Sequence, residues 1–210
     1  VKEVFKTEQR PEKNITLDFE HQLSKSALKF LQQSLRTFYR VILNVSKELY
    51  PEKYHKVSPQ ILRLHTWVGY DVDGRGDIFW NDSFSKRLEV KIDQLIMYNE
   101  TIDKIYKLVQ NNDLKKKLLK IKKTFSDSVF YNKKALIKFS QKQINDDIEL
   151  IKEASNFMHK HKNKLLTKAG DIISQINDLI NNNNKQEKLI NQKALDELII
   201  FRIEIENFGL

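Results

Sequence analysis

No cysteine occurs among the 210 residues, so neither a disulfide nor a thiolate metal site is open to this chain. The absence also fits a reducing, cytoplasmic compartment. Three prolines and five glycines are too few for a sandwich or barrel with many tight turns. No window approaches the roughly 18 uninterrupted apolar residues of a membrane span, and no signal-peptide pattern opens the chain. The first residue is Val1 rather than methionine, so the sequence is expected to be a piece of a longer protein.

What the chain does have is charge and helical periodicity. Forty per cent hydrophobic and 31% charged residues describe a globular protein with a rich charged surface. The net charge of +9 raises the question of nucleic-acid or anionic-lipid binding. The lysines are spread over many helical segments, however. The densest runs, Lys115-Lys116-Lys117 and Lys120-Ile121-Lys122-Lys123, alternate with leucines at helical spacing. That pattern is a solvated helix face, and it argues against a nucleic-acid groove.

Residues 1–16 are polar, carry Pro11, and are expected to form an irregular lead-in. From Leu17 apolar residues recur every three or four positions (Phe19, Leu23, Ala27, Leu31, Leu35, Phe38, Ile42, Val45, Leu49). They predict one long amphipathic helix, or two broken near Arg36, stopped by Pro51. A second helix is expected from about Phe84 to Val109 after the capping residues Asn81-Asp82-Ser83. A basic helix over about 113–125 is expected to end at Ser126-Asp127-Ser128. One or two helices should cover Asn132 to His159, another about 164–180, and a last one about Gln186 to Asn207, with Asn181-Asn182-Asn183-Asn184 as a loop. The expected fold is all-α, long antiparallel helices in a bundle, in a single helical region over 1–210.

Against this background one stretch stands out. Trp67-Val68-Gly69-Tyr70-Asp71-Val72-Asp73-Gly74-Arg75-Gly76-Asp77-Ile78 holds three of the five glycines and one of the two tryptophans. A chain so sparing of glycine places it where the backbone must turn sharply or be approached closely. Three explanations meet here. Asp71, Asp73, Gly76, Ile78 and Asp82 fall at positions 1, 3, 6, 8 and 12 of a calcium loop, but Arg75 and Phe79 occupy positions where the pattern places ligands. A tight turn whose aspartates cap the following amides explains the composition with no ligand at all. An integrin motif at Arg75-Gly76-Asp77 does not suit a cysteine-free helical chain.

The third explanation is a resemblance. Leu64-His65-Thr66-Trp67-Val68-Gly69-Tyr70-Asp71-Val72-Asp73-Gly74-Arg75 resembles the segment F-x-S-W-M-G-G-D-R-D-G-N-P of phosphoenolpyruvate carboxylase, with Trp67, Gly69, Asp71, Asp73 and Gly74 matching in type and spacing. The end of the chain, Asn207-Phe208-Gly209-Leu210, resembles the family's F-G-L-H turn. Two departures mark a divergent branch. Val72 stands where the family has arginine, with Arg75 three residues on, and Arg75-Gly76 replaces the family's Asn-Pro.

The resemblance implies the helical part of a larger α/β-barrel enzyme, a cytoplasmic lyase with an anaplerotic role that joins phosphoenolpyruvate and bicarbonate into oxaloacetate and phosphate. It implies Mg2+ or Mn2+ with ligands outside this region, a homo-oligomer, and no membrane. Trp67 and Arg75 are the implied substrate-binding residues, and Gly69, Asp71, Asp73 and Gly74 shape the loop. No His-Pro-Thr segment and no G-R-G-G loop is present, and His21, His55, His65, His159 and His161 lack the catalytic neighbourhood. The chain alone is therefore expected to be inactive. The alternative from another class is a non-enzymatic, basic helical interaction module that touches nucleic acid.

Overall fold

The computed structural model describes residues 15–71, 74, 76, 78–185 and 190–210. Six α-helices account for most of them: α1 (Leu17–Leu49), α2 (Trp80–Leu108), α3 (Asn112–Phe139), α4 (Ile148–Lys160), α5 (Gly170–Lys185) and α6 (Gln192–Phe208). There is no strand among the described residues, and none of the helices is long and apolar enough to cross a membrane. Of the expected lead-in, residues 1–14 lie outside the described residues.

Capping side chains set the helix starts. Thr16 Oγ1 accepts the Phe19 amide at 3.2 Å, Asn111 Oδ1 those of Asp113 and Leu114, Asp147 Oδ1 those of Glu149 and Leu150, and Asn191 Oδ1 that of Ala194. Each satisfies amides that the first helical turn leaves without partners. α2 is capped from inside instead. It begins at Trp80, four residues before the expected Phe84, and Asp82 reaches back to the Phe79 amide at 2.9 Å.

α6 is the axis of the bundle. Eleven of its residues are buried, on all sides of the helix, as in a helix enclosed by others. α1, α2 and α5 pack around it, while α2 and α3 form an antiparallel hairpin and α3 carries α4. The main core joins Tyr98, Phe125 and Phe201, whose rings meet at 5.6 to 6.3 Å, to the aliphatic faces of α2, α3, α5 and α6. A smaller cluster of Leu88, Ala135, Phe139, Ile144 and Ala154 lies under α4.

Of the two readings of the first helix, the single long one holds, and α1 runs unbroken past Arg36, whose side chain pairs with Glu197 and Glu204 of α6. Two expectations are corrected. α3 runs straight through Ser126-Asp127-Ser128, and only at Lys142–Asn145 does a 3-10 turn part it from α4. Ser128 Oγ donates to the Leu165 carbonyl at 2.9 Å, and Asn132 Nδ2 donates to the same oxygen at 3.2 Å. These polar residues serve a tertiary contact to a buried carbonyl rather than a helix end. α5 likewise continues through Asn181–Asn184 to Lys185. Ile172, Ile176, Leu179 and Ile180 anchor it in the core, and an asparagine costs a helix only some tenths of a kcal/mol.

The aromatic cluster fixes one expected outcome. Phe201→Ala should cost about 3–5 kcal/mol by emptying the centre of the core, read as a lower urea midpoint with an unchanged slope.

Candidate functional site

The glycine-rich stretch forms the connection between α1 and α2. Trp67 to Tyr70 make a β-turn closed by the Tyr70 amide on the Trp67 carbonyl at 2.9 Å. Gly69, its third residue, has φ +89, a position that the type II turn reserves for glycine. A Cβ there would also lie 3.1 Å from Lys86 Cγ. At Gly74 a Cβ would meet the Asp71 carboxylate at 2.6 Å, so the Asp71 side chain folds back over the turn and the glycine leaves room for it.

Two helices hold this turn. Ser24 of α1 donates to Thr66 Oγ1 at 2.6 Å, and Thr66 Oγ1 accepts the Val68 amide at 3.3 Å. Ser83 of α2 donates to the Gly69 carbonyl at 2.6 Å. The stem of Lys86 runs beneath Gly69, and its ammonium pairs with Asp18 and, at 3.5 Å, with Glu89. Burial pulls the Lys86 pKa down, but Asp18 and Glu89 outweigh it and hold it above the ordinary lysine value. Tyr70 is half-buried. Burial raises its phenol against the opposing influence of Arg87.

Trp67 itself is 77% exposed. It is not an indole packed in the core. It lines an open groove of about 390 Å³ together with His65, Thr66 and, from α1, Ser24, Ala27, Leu28 and Leu31. Of the implied site residues, Gly69, Asp71 and Gly74 are gathered into the loop as shaping residues, and Trp67 projects from it. Val72, Asp73 and Arg75 lie outside the described residues.

Asp82, the twelfth position of the calcium pattern, is used up as the cap of α2. Among the described residues no three His, Asp or Glu side chains are placed to hold a metal ion.

The second resembling segment lies part-way along the bundle rather than beside the loop, with the Phe208 ring packed on Tyr39 of α1 at 6.4 Å, well beyond Ser24 on the same helix. α6 runs antiparallel to α1, with Lys47 paired to Asp196 and Arg36 to Glu204. Its last turn therefore points toward the start of α1, where Ser24 holds the loop. Residues 55–59 travel alongside α6 in the same direction. Arg202 donates to the carbonyls of His55 and Val57, and Asn207 Nδ2 to that of Pro59 at 3.0 Å. Tyr98 OH donates to the Gly209 carbonyl at 2.8 Å.

No protein-family model, curated protein or solved structure matches this chain. What the loop does has to follow from its own residues.

The supports Ser24 and Lys86 carry no sequence signal of their own, since each meets the loop at least 17 residues away in the chain. Ser83 was visible only as a helix-capping residue.

Beneath the loop, His21 is fully buried, with Nε2 3.3 Å from Glu89 Oε2, close enough for an ion pair though not aligned as a hydrogen bond. The His21 contact, against the opposing effect of burial and with help from Lys86 and Lys25, holds the Glu89 carboxyl down at about 2.

Two outcomes are expected. Gly69→Ala should lower stability by about 1–2 kcal/mol through strain at positive φ, whereas Gly76→Ala, which would meet nothing within 4 Å, should stay within about 0.5 kcal/mol. The comparison is made by thermal unfolding. The Glu89 carboxyl is depressed when folded, so its stabilisation is complete above the unfolded value of about 4.3 and is lost as pH falls toward 2. Between pH 5 and pH 2 the wild type should lose on the order of 2–3 kcal/mol more than Glu89→Gln, read by urea unfolding at each pH.

Proposed function

We propose that this chain is the helical flank of a phosphoenolpyruvate carboxylase, in which the loop from Trp67 to Ile78 forms one wall of the substrate pocket. The observation that carries the proposal is the exposed Trp67 on a rigid turn. A large indole left in water forgoes one of the larger apolar gains that a side chain offers, yet a glycine-only turn and hydrogen bonds from Ser24 and Ser83 support its mounting. Such a rigid mounting suits a surface that meets something from outside this chain.

The chemistry supplies what that would be. When phosphoenolpyruvate passes its phosphoryl group to bicarbonate, the carboxyphosphate formed splits into phosphate and carbon dioxide. The methylene carbon of the enolate left behind is nucleophilic, and water at that carbon protonates it before it can attack the carbon dioxide. A wall that excludes water protects the intermediate from this side reaction. The indole face serves that role, and Asp71 and Gly74 keep the turn beneath it in shape. Arg75, in place of the arginine missing at Val72, is proposed to hold the phosphate or carboxylate of the substrate. Any divalent metal is then held by other parts of the enzyme.

The exposed lysines offer less support to the interaction module. Lys116, Lys117, Lys120 and Lys123 stand in water around the buried Leu114, Leu118 and Ile121, and Lys116 and Lys122 are paired with Asp113 and Asp103.

Expressed in its full reading frame with phosphoenolpyruvate, bicarbonate and Mg2+, the protein should form oxaloacetate, and Trp67→Ala should lower kcat/KM about 10- to 100-fold. Reduction of the oxaloacetate by a coupled dehydrogenase provides the readout. No oxaloacetate, together with salt-dependent DNA binding, would favour the module instead. Turnover untouched by Arg75→Ala would remove the arginine from the site.

A further inference from the structure

The outer face of α1 meets no other helix among the described residues. Leu23, Phe30, Phe38, Val41, Val45 and Leu49 are each between 48% and 67% exposed. At 3.6 residues per turn they fall on one side of the helix. The charged residues between His21 and Ser46 are Lys25, Lys29, Arg36 and Arg40, and all four fall on the opposite half. Three are engaged in ion pairs there, Lys25 with Asp93 at 2.7 Å and Arg36 and Arg40 with Glu197.

The hydroxyls on the strip are also occupied. Ser26, Ser34 and Thr37 donate to the carbonyls of Gln22, Phe30 and Gln33, four residues back in the same helix, at 2.9, 3.1 and 3.4 Å. From Leu23 to Val45 the face is apolar, free of charge and internally satisfied in its hydroxyls, which suits a dry contact, while Glu20 and Glu48 fall on the same side at its two ends. A contiguous patch of this size on a soluble chain marks an interaction surface.

The strip is also complementary to itself. The small residues Ala27 and Ser34 alternate with Phe30 and Phe38 along it. An antiparallel two-fold axis through Ser34 sets Phe30 against the second copy's Phe38, Ala27 against its Val41 and Leu23 against its Val45. Large side chains then flank a small pair that lets the backbones approach. A 33-residue helix is about 50 Å long, and a strip one helix wide along it covers about 500 Å². Two copies bury about 1,000 Å², the size at which specific pairing begins. We infer that α1 pairs with α1 of a second copy of this chain across a two-fold axis at Ser34, an inference that does not rest on the carboxylase reading.

The absence of cysteine makes the geometry directly testable. Oxidised with diamide, Ser34→Cys should cross-link to a disulfide dimer about tenfold or more faster than Asn44→Cys, an exposed site on the same helix that the axis leaves far from its own copy. By sedimentation equilibrium the unmodified chain should reach twice its 25.0 kDa at concentrations on the order of 10 µM. Phe38→Glu should weaken that dimer about tenfold or more with unchanged helicity by circular dichroism, since Phe38 is already half-exposed. A chain that stays monomeric, equal cross-linking at the two sites, or a dimer indifferent to Phe38→Glu would overturn the inference. So would a monomer whose α1 strip binds phosphatidylcholine vesicles or another polypeptide.

Discussion

The position of α1 depends on a buried group of charges. Arg36 reaches Glu204 and Glu197 of α6 at once, and Arg40 adds a second cation to Glu197 at 2.6 Å. Glu204 is nearly enclosed, and burial raises its carboxyl above the ordinary range while Arg36 opposes that shift. Burial alone would lower the Arg36 pKa, yet the two glutamates carry it above its usual value. Such a pair adds little net stability, but losing one member leaves the other charge stranded at a cost of about 3–5 kcal/mol. The network therefore acts as a register pin. It commits one side of α1 to α6 and leaves the other side outward.

A second polar set guides the chain from the end of α1 to the loop. Arg202 and Asn207 lie among the apolar residues of α6 and bind the carbonyls of His55, Val57 and Pro59. Burial lowers the Arg202 pKa against the support of Glu206; the two carbonyls and Asn177 Oδ1 accept from its terminal nitrogens, while Nε lies 3.4 Å from Glu206 Oε1 without a hydrogen bond. A segment that leaves the 3-10 turn Tyr54–Lys56 and runs on without helical bonds thus finds partners for its carbonyls on α6. It is led to Thr66, where Ser24 receives it. The same helix that fills the core also aims the loop.

Much of this fold was legible in the sequence, because helix periodicity and capping residues are local. The start of α1 at Leu17 and the break near Asn111 were both visible. The failures share one cause. Ser128 looked like part of a helix break, and Asn132 like the start of a new helix, because their partner, the Leu165 carbonyl, is 37 and 33 residues away. The asparagines of α5 looked like a loop because the isoleucines that anchor the helix lie outside that run. The periodic stripe on α1 is the most instructive case. Leu23, Leu31, Phe38, Val45 and Leu49 gave the helix its amphipathic pattern, yet all are at least 46% exposed. The side facing α6 is marked instead by Tyr39 and Leu43, with the charged Arg36 among them. Periodicity reports that a face is meant to be covered, not what covers it. In the candidate site, glycine content located the turn and its positive φ, while the supporting side chains came from distant helices and left no local trace.

The loop and the outer strip of α1 share material, and this ties the two proposals together physically. Ala27 and Leu31 line the groove with Trp67, and Ala27 also lies on the strip that faces a second copy. An axis at Ser34 brings the second copy's residues around Val41 opposite Ala27, beside the groove rather than over the indole, because Ser24, Leu28 and Leu31 place Trp67 on the flank of the strip. The groove then gains a wall from another chain while it stays open. Pairing would also hold the first turns of α1, and with them Asp18, His21 and Ser24, which anchor the loop through Lys86, Glu89 and Thr66. A pocket wall that depends on the start of a long helix is firmer when that helix is clamped along its length.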